Sequence, residues 1–350
     1  MKKLNSSQQT ILELFIAGDY LQSSEVFELL ESGINKMALV SVKRNLSEMV
    51  HLGALRVEGS GRSTRYQITT PGRLFFETDP AKYIQIEPDQ RSGLSGYNFD
   101  LFQNIPNGIF NYQELIELER ATKKYKERSA KASKGIKEKE LQRLVIELSW
   151  KSSKIEGNTY TLLDTEKLIL EAKQASGHDK KEAIMILNHK DAFNEIYKNA
   201  ANYKNLTAKN LEKIHSILVK GLNVNHGFRK SLVGITGSKY KPLDNVYQIG
   251  EAVEELSALI TKTKDPYSKA MLAILGISYI QPFEDGNKRT ARLMANALLL
   301  SHKCAPLSYR SVNEQEYRNS LLVFYEINSL VSFKKIFREQ YLFSAENYAL

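Results

Sequence analysis

An apolar run, Ala270 to Ile280, leads into the polar stretch Gln281-Pro282-Phe283-Glu284-Asp285-Gly286-Asn287-Lys288-Arg289-Thr290-Ala291-Arg292, and a second apolar run, Leu293 to Leu300, leads out of it. Runs that are apolar all round read as buried helices, so two core helices must flank a polar turn. Gly286 permits the sharp backbone, and Asn287 to Thr290 open the second helix. The N–H groups of that first turn have no partner inside the helix and form an anion site. Asp285 at its lip can hold a hard cation such as Mg²⁺. Arg289 and Arg292 are three residues apart, share one helix face and can grip phosphate oxygens. The chemistry implied is phosphate plus metal.

These residues resemble the motif of the Fic family, His-Pro-Phe-x-Asp/Glu-Gly-Asn-Gly/Lys-Arg-x-x-Arg, whose typical members transfer AMP from ATP to a protein hydroxyl. The resemblance implies ATP and Mg²⁺ at Asp285, Gly286, Asn287, Lys288, Arg289 and Arg292, and a hydroxyl-bearing protein segment, or the chain itself, as acceptor. It departs at the first position, where the family's general-base histidine is replaced by Gln281. A glutamine amide hydrogen-bonds but takes no proton at physiological pH, so the expectation is nucleotide binding with weak or absent AMP transfer. Lys288 stands where glycine is commoner, a choice shared with the phosphate-transferring Doc branch, while Arg292 favours the AMP-transferring pose.

Upstream, Ser152-Ser153-Lys154-Ile155-Glu156-Gly157 closes an amphipathic helix expected at about 137–157 with Leu141, Leu144, Val145, Leu148 and Ile155 at helical spacing. It matches the Ser/Thr-x-x-x-Glu-Gly/Asn inhibitory motif of the same family. There the glutamate pairs with the second motif arginine, here Arg292, and obstructs the γ-phosphate. The resemblance therefore implies a brake formed by Ser152, Glu156 and Gly157. Without that coincidence, Glu156 would be an ordinary helix-end acid.

Residues 1–76 read as three helices followed by two strands: Ile11, Leu12, Leu14 and Phe15 on the first with Ser6 or Ser7 as its cap, Val26 to Leu30 on the second, and Leu39, Val42, Leu46 and Val50 inward on the third. This pattern resembles winged helix-turn-helix DNA-binding domains, which implies that Lys43, Arg44 and Asn45 face bases or phosphates and that Arg62 and Arg65 contact phosphate. Over residues 1–75 nine Lys/Arg oppose seven Asp/Glu, a net of about +2, which leaves a protein-docking module open as the alternative.

Residues 77–110, punctuated by Pro80, Pro88, Gly93, Gly96, Pro106 and Gly108, form a connector to which no function is assigned. Residues 112–134, with a basic stretch from Lys123 to Lys134, read as a solvated helix and flexible link, a specific basic site being the alternative. Thr161-Leu162-Leu163-Asp164 and Ser311-Val312-Asn313-Glu314 are capping boxes, the second opening a helix with Tyr317, which by family resemblance borders the adenine. His189 and His215 lie on helices as packed or surface histidines. His226 sits on a loop and does not replace the missing base. Leu232 to Pro242 alternate around a Gly/Ser turn and read as a hairpin. The resemblance makes it a flap that docks the target segment through Gly237, Ser238, Lys239 and Tyr240; an ordinary surface hairpin is the alternative.

The expected fold is mainly α: a Fic-type helical domain with a β-hairpin flap over 111–335, a winged helix at 1–76 before it and a tail at 336–350. With 350 residues, 42% apolar and 25% charged, the chain supports a large core. Its one cysteine, Cys304, excludes an internal disulfide and suits a cytoplasmic location, and no run reaches the roughly 20 apolar residues of a membrane span. The net charge of +9 is compatible with a nucleotide or with nucleic acid. The function expected is thus a braked ATP-binding adenylyltransferase fold; the alternative is a DNA-binding regulator whose Fic domain senses nucleotide or a protein partner.

Overall fold

The computed structural model describes residues 4–33 and 35–350; Lys2 and Lys3, counted in the N-terminal charge, lie outside it. The chain divides into two compact units. The first takes residues up to Ile105 with Gly234–Lys241 and Asn319–Phe333; the second takes Pro106–Val233, Pro242–Arg318 and Lys334–Leu350.

The first unit opens with helices Ser6–Glu13, Ser23–Ser32 and Leu39–His51, then strands β1 (Leu55–Glu58) and β2 (Arg65–Ile68). The strands pair antiparallel, Leu55 opposite Ile68 and Glu58 opposite Arg65. Asn5, rather than either serine, caps the first helix: its side chain accepts from Gln8 N and Gln8 answers it. Ile11, Phe15, Val26, Val42, Leu46, Met49 and Ile68 share one core with Val323 and Ile327. Leu39, expected inward, is exposed, because the buried face of the third helix turns through Val42, Asn45, Leu46 and Met49.

Residues 232–242 form no hairpin. The antiparallel hairpin of the structure is β1–β2, and Lys241 makes only an isolated parallel bridge to Gly96. The reason is a buried carboxylate. Glu326 accepts from Ser238 Oγ (2.6 Å) and Lys239 N (3.3 Å), from Tyr83 Oη (2.9 Å), and pairs with Arg91 at 3.1 Å. Arg91 also donates to Gly237 O (2.9 Å), and Tyr240 is buried against Tyr325. The polar groups that a hairpin would pair across itself are spent on Glu326 and Arg91. The connector therefore has a definite task, since Tyr83 and Arg91 fix this segment.

The second unit is helical. Its main elements are Tyr112–Lys131, Lys134–Ile155, Leu162–Glu171, Lys180–Lys198, Ala208–Leu218, Val246–Lys262, Pro266–Ile280 and Asn287–Ser301. Local signals set most ends: Asn111 and Glu114 form a capping box, as do Thr161 and Asp164, and Asp265 caps Ser268 N ahead of Pro266. The helix Glu314–Ile327 is capped by Asn313, whose side chain accepts from the Gln315 and Glu316 N–H groups, while Ser311 bonds Gln340 instead. Nearly every residue of Pro266–Ile280 and Asn287–Ser301 is buried, as runs apolar on all sides require. Gly276 lets Val246–Lys262 approach closely: a Cβ there would sit 2.5 Å from Leu256 Cδ1. Gly276→Val should therefore overpack this contact and destabilise the fold by about 1–3 kcal/mol, measured as the loss in urea midpoint against the parent chain.

Candidate functional site

The site is built on the turn between Pro266–Ile280 and Asn287–Ser301. Gln281 ends the first helix in the left-handed region (φ 52°), with its N–H on Ile277 O at 3.0 Å. Its amide is used at both ends: Nε2 donates to Ser278 O (2.6 Å) and Oε1 accepts from Asn287 Nδ2 (2.9 Å). Asn287 closes the loop, donating also to Phe283 O (2.7 Å) and accepting from Phe283 N (2.8 Å). Buried Arg229 holds the outside, its Nε on Gln281 O (2.6 Å) and its backbone N–H on Pro282 O (2.9 Å). Gly286 takes φ 80° just before the helix, a conformation that a side chain would strain.

Asp285 stands at the lip, its side chain 64% exposed and 3.0 Å from Arg289 one turn on. His215 lies flat on Phe283, ring centroids 3.7 Å apart, and its Nε2–H donates to Asp285 O at 3.0 Å. Burial drives the His215 pKa down to about 4, against the smaller opposing effect of that hydrogen bond. The ring is neutral, and its other nitrogen is enclosed without a partner. His189 is fully buried with neither nitrogen hydrogen-bonded; burial first, then Arg292 and Arg289, hold it well below the ordinary histidine value. Both histidines are packed, as the sequence suggested. What their spacing did not reveal is that both stand against the motif charges. His226 is exposed beside Asn225, whose side chain and N–H hold Glu284.

Arg289 and Arg292 point inward, and both are almost wholly buried. Arg292 Nη2 reaches Glu156 Oε1 at 2.9 Å and Ser152 O at 2.8 Å, while Nε donates to Ser152 Oγ at 2.9 Å. Lys288 Nζ is 3.4 Å from Glu156 Oε2. Burial opposes ionisation of Glu156, but Arg292, then Lys288 and Arg289, outweigh it and hold the carboxyl below its ordinary value. Burial likewise works against the charge on Arg292, and Glu156 more than restores it. The Nη1 of each arginine is enclosed without a hydrogen-bond partner among the described residues.

Glu156 is delivered by the C-terminal end of Lys134–Ile155. Its N–H bonds Ser153 O, Gly157 turns left-handed (φ 95°) and bonds Lys154 O, and Trp150 Nε1 donates to Tyr160 O across the turn. Ser152, Glu156, Asp285, Gly286, Asn287, Lys288, Arg289 and Arg292 thus meet in the second unit, beside Gln281. The Tyr317 ring lies 5.8 Å from the Arg292 guanidinium. Lys43, Arg44, Asn45, Arg62, Arg65 and Gly237 to Tyr240 belong to the first unit. There Lys43, Arg44, Arg62 and Arg65 are exposed, but Asn45, expected to face nucleic acid, is only 6% exposed and donates to Ser41 O (2.9 Å) and Met37 Sδ. It sits one turn after Ser41 on the inward side, where its amide can satisfy the backbone.

Residues 205–299, which include the whole turn, match the family model described as Fic/DOC family. Over 110 residues the chain is 31% identical to a probable protein adenylyltransferase of Aquifex aeolicus, covering 31% of this chain and 33% of that protein. Over 170 residues it is 26% identical to protein adenylyltransferase Fic of Drosophila melanogaster, covering 48% and 35%. The chain thus spans about a third of the length of these curated relatives. The same fold appears in Fic-1 of C. elegans (TM-score 0.58, 19% identity, 67% of this chain and 72% of that one) and in a Fic family protein of Desulfovibrio desulfuricans (TM-score 0.56, 20% identity, 69% and 75%).

The Glu156 carboxylate makes this site pH-dependent. Its folded pKa is lowered, so its stabilisation is full above the ordinary carboxylate value of 4.5 and is lost as pH falls through the folded value. Glu156→Gln removes that dependence and leaves Arg292 without its counter-charge. The melting temperature of the Gln variant should lie below the parent's near neutrality, and the gap should hold down to the ordinary carboxylate value of 4.5 and narrow as pH is lowered below it. A gap constant with pH in differential scanning calorimetry would contradict the pairing.

Proposed function

We propose that the second unit is a nucleotide site for ATP with Mg²⁺, braked by Glu156, and deficient in AMP transfer because Gln281 occupies the position of the family's base. The observation that carries this reading is the pair of enclosed arginine Nη1 donors beside a carboxylate lodged in the Arg292 fork. Buried donors left unmade are costly, and phosphate oxygens are the groups that fit a guanidinium fork best. The relatives described as protein adenylyltransferases support ATP as the nucleotide.

Asp285 suits a cation that arrives with phosphates. It is a hard oxygen donor at the mouth, paired with Arg289, and one carboxylate plus substrate phosphates is how Mg²⁺ is commonly bound. Among the described residues no group of three or more His, Cys, Asp or Glu side chains is disposed to hold a metal on its own. Bound there, Mg²⁺ would neutralise phosphate charge. The chain's own residues supply the rest: the N–H groups of the Asn287 turn and Arg289 bind phosphate, and Arg292 does so once Glu156 withdraws.

Transfer of AMP to a hydroxyl forms an oxygen–phosphorus bond, releases pyrophosphate and requires the hydroxyl proton to leave. Neither Gln281 nor His215 is suited to take it. Both ends of the Gln281 amide are engaged, and the free nitrogen of His215 is enclosed, with a pKa near 4. Loss of general-base help costs about a hundred- to ten-thousand-fold in rate, so binding persists where transfer does not.

The decisive experiment is calorimetry of ATP-Mg²⁺ with labelled-ATP transfer assayed in parallel. Glu156→Gly should bind more tightly than the parent with little transfer, and Gln281→His combined with Glu156→Gly should label the chain itself or a protein partner. Unchanged binding in Glu156→Gly would sink the brake; restored histidine without any labelling would sink the claim that only the base is missing.

A second reading rests on the first unit. Lys43, Arg44, Arg62 and Arg65 are exposed, and none has an ion-pair partner among the described residues. Three helices and a two-stranded ribbon bearing such charges suit the phosphate backbone of DNA. Binding of duplex DNA should fall with salt and weaken about tenfold or more on Arg44→Ala with Arg62→Ala. Retention of full binding by that double variant, in fluorescence anisotropy, would leave a docking module.

A further inference from the structure

The end of the helix that carries Glu156 is tied to a second helix, Glu314–Ile327. Glu314, in the first turn of Glu314–Ile327, lies 2.6 Å from Lys151 Nζ and 3.7 Å from Lys154 Nζ. Those two lysines bracket Ser152 and Ser153, one turn before Glu156. Both ammonium groups also lie over the Trp150 ring, at 5.3 and 5.2 Å. On the next turn of the same helix Arg318 Nε donates to Ile155 O at 2.8 Å, the carbonyl immediately before Glu156. A cation there also meets the negative end of the helix dipole. Between them on that helix stands Tyr317, against Arg292.

We propose that Glu314 and Arg318 are positioning residues that latch the end of Lys134–Ile155 and so hold Glu156 in the Arg292 fork. The inference rests on the reading of Glu156 as a brake and adds what sets its strength. Three features separate the latch from incidental surface pairing. Lys151 is 6% exposed, so its ammonium requires an anion, and Glu314 is that anion. Arg318 bonds a backbone carbonyl and therefore fixes the position of the helix end. Neither residue touches Glu156 or Arg292 in any hydrogen bond or ion pair, so an effect on nucleotide affinity must pass through the helix.

In population language, the latch lowers the fraction of molecules whose Arg292 fork is open, and apparent nucleotide affinity falls with that fraction. Cutting the latch should raise the fraction without altering the open site. The same restraint serves no purpose once Glu156 is gone.

The test is ATP-Mg²⁺ affinity by calorimetry on the full chain, in a cycle of Glu314→Gln and Arg318→Ala against Glu156→Gly. Glu314→Gln is isosteric at a partly exposed position, so the variant keeps its packing; a melting curve checks this. In the parent background each latch variant should tighten binding about three- to tenfold, and in the Glu156→Gly background neither should change it. Tightening by Glu156→Gly with no effect of Glu314→Gln or Arg318→Ala would overturn the latch and leave the brake standing. Equal tightening in both backgrounds would also overturn it, since Glu314 would then act on the nucleotide site directly. Failure of Glu156→Gly itself to tighten binding would instead reject the underlying brake.

Discussion

Two guanidinium groups buried in one helix are the constraint from which the rest of the second unit follows. Charges taken out of water demand partners, because the unpaired penalty is several kcal/mol per ion. Arg289 and Arg292 lie inward on Asn287–Ser301, packed on nearly all sides. The fold answers with Asp285 one turn back, with Ser152 brought in from 140 positions away along the chain, and with Glu156 at the end of the same helix. It does not answer completely. Two Nη1 groups are left without hydrogen-bond partners among the described residues.

The scaffold of the turn is independent of acid–base chemistry at its first position. Gln281 takes a left-handed conformation, and the loop is held there by its own backbone N–H, by Arg229 on its carbonyl and by Asn287 across it. Only one hydrogen bond of that set, from Asn287 to Oε1, uses the glutamine acceptor. A neutral side chain that fills both hydrogen-bonding roles is thus compatible with an intact turn. Binding geometry and proton transfer are carried by different atoms and can be lost separately.

How much of this was legible in sequence depends on the range of the interaction. The two helices and their polar turn were plain, because apolar runs, a glycine and a three-residue arginine spacing are local signals. The Thr161–Asp164 cap was legible for the same reason. Asn45 was not: three residues after Val42 and next to Arg44, its period permits either face, and only the Ser41 carbonyl and Met37 settle it. The alternation at Leu232 to Pro242 describes a strand, but Glu326, some 88 positions further on, competes for Ser238 and wins. Lys151 with Glu314 is separated by 163 positions and had no local signature at all. Periodicity names the face that turns inward; it does not name the partner waiting there.

On the proposed reading, displacing Glu156 by phosphate would exchange one anion for another in the same buried fork. The Coulomb attraction lost with the carboxylate is regained with the phosphate, so the balance is decided by smaller quantities. These are the restraint on the helix end and the cost of leaving Glu156 and Lys288 to solvent. Each 1.4 kcal/mol in that balance is a tenfold change in affinity. Exposed ion pairs contribute about 0–1 kcal/mol, whereas removing one partner of a buried charge costs several times more. Lys151 is buried and Glu314 partly exposed, which places their pair between these limits. On the proposed reading, a restraint between those limits would change apparent nucleotide affinity by about tenfold or less per 1.4 kcal/mol.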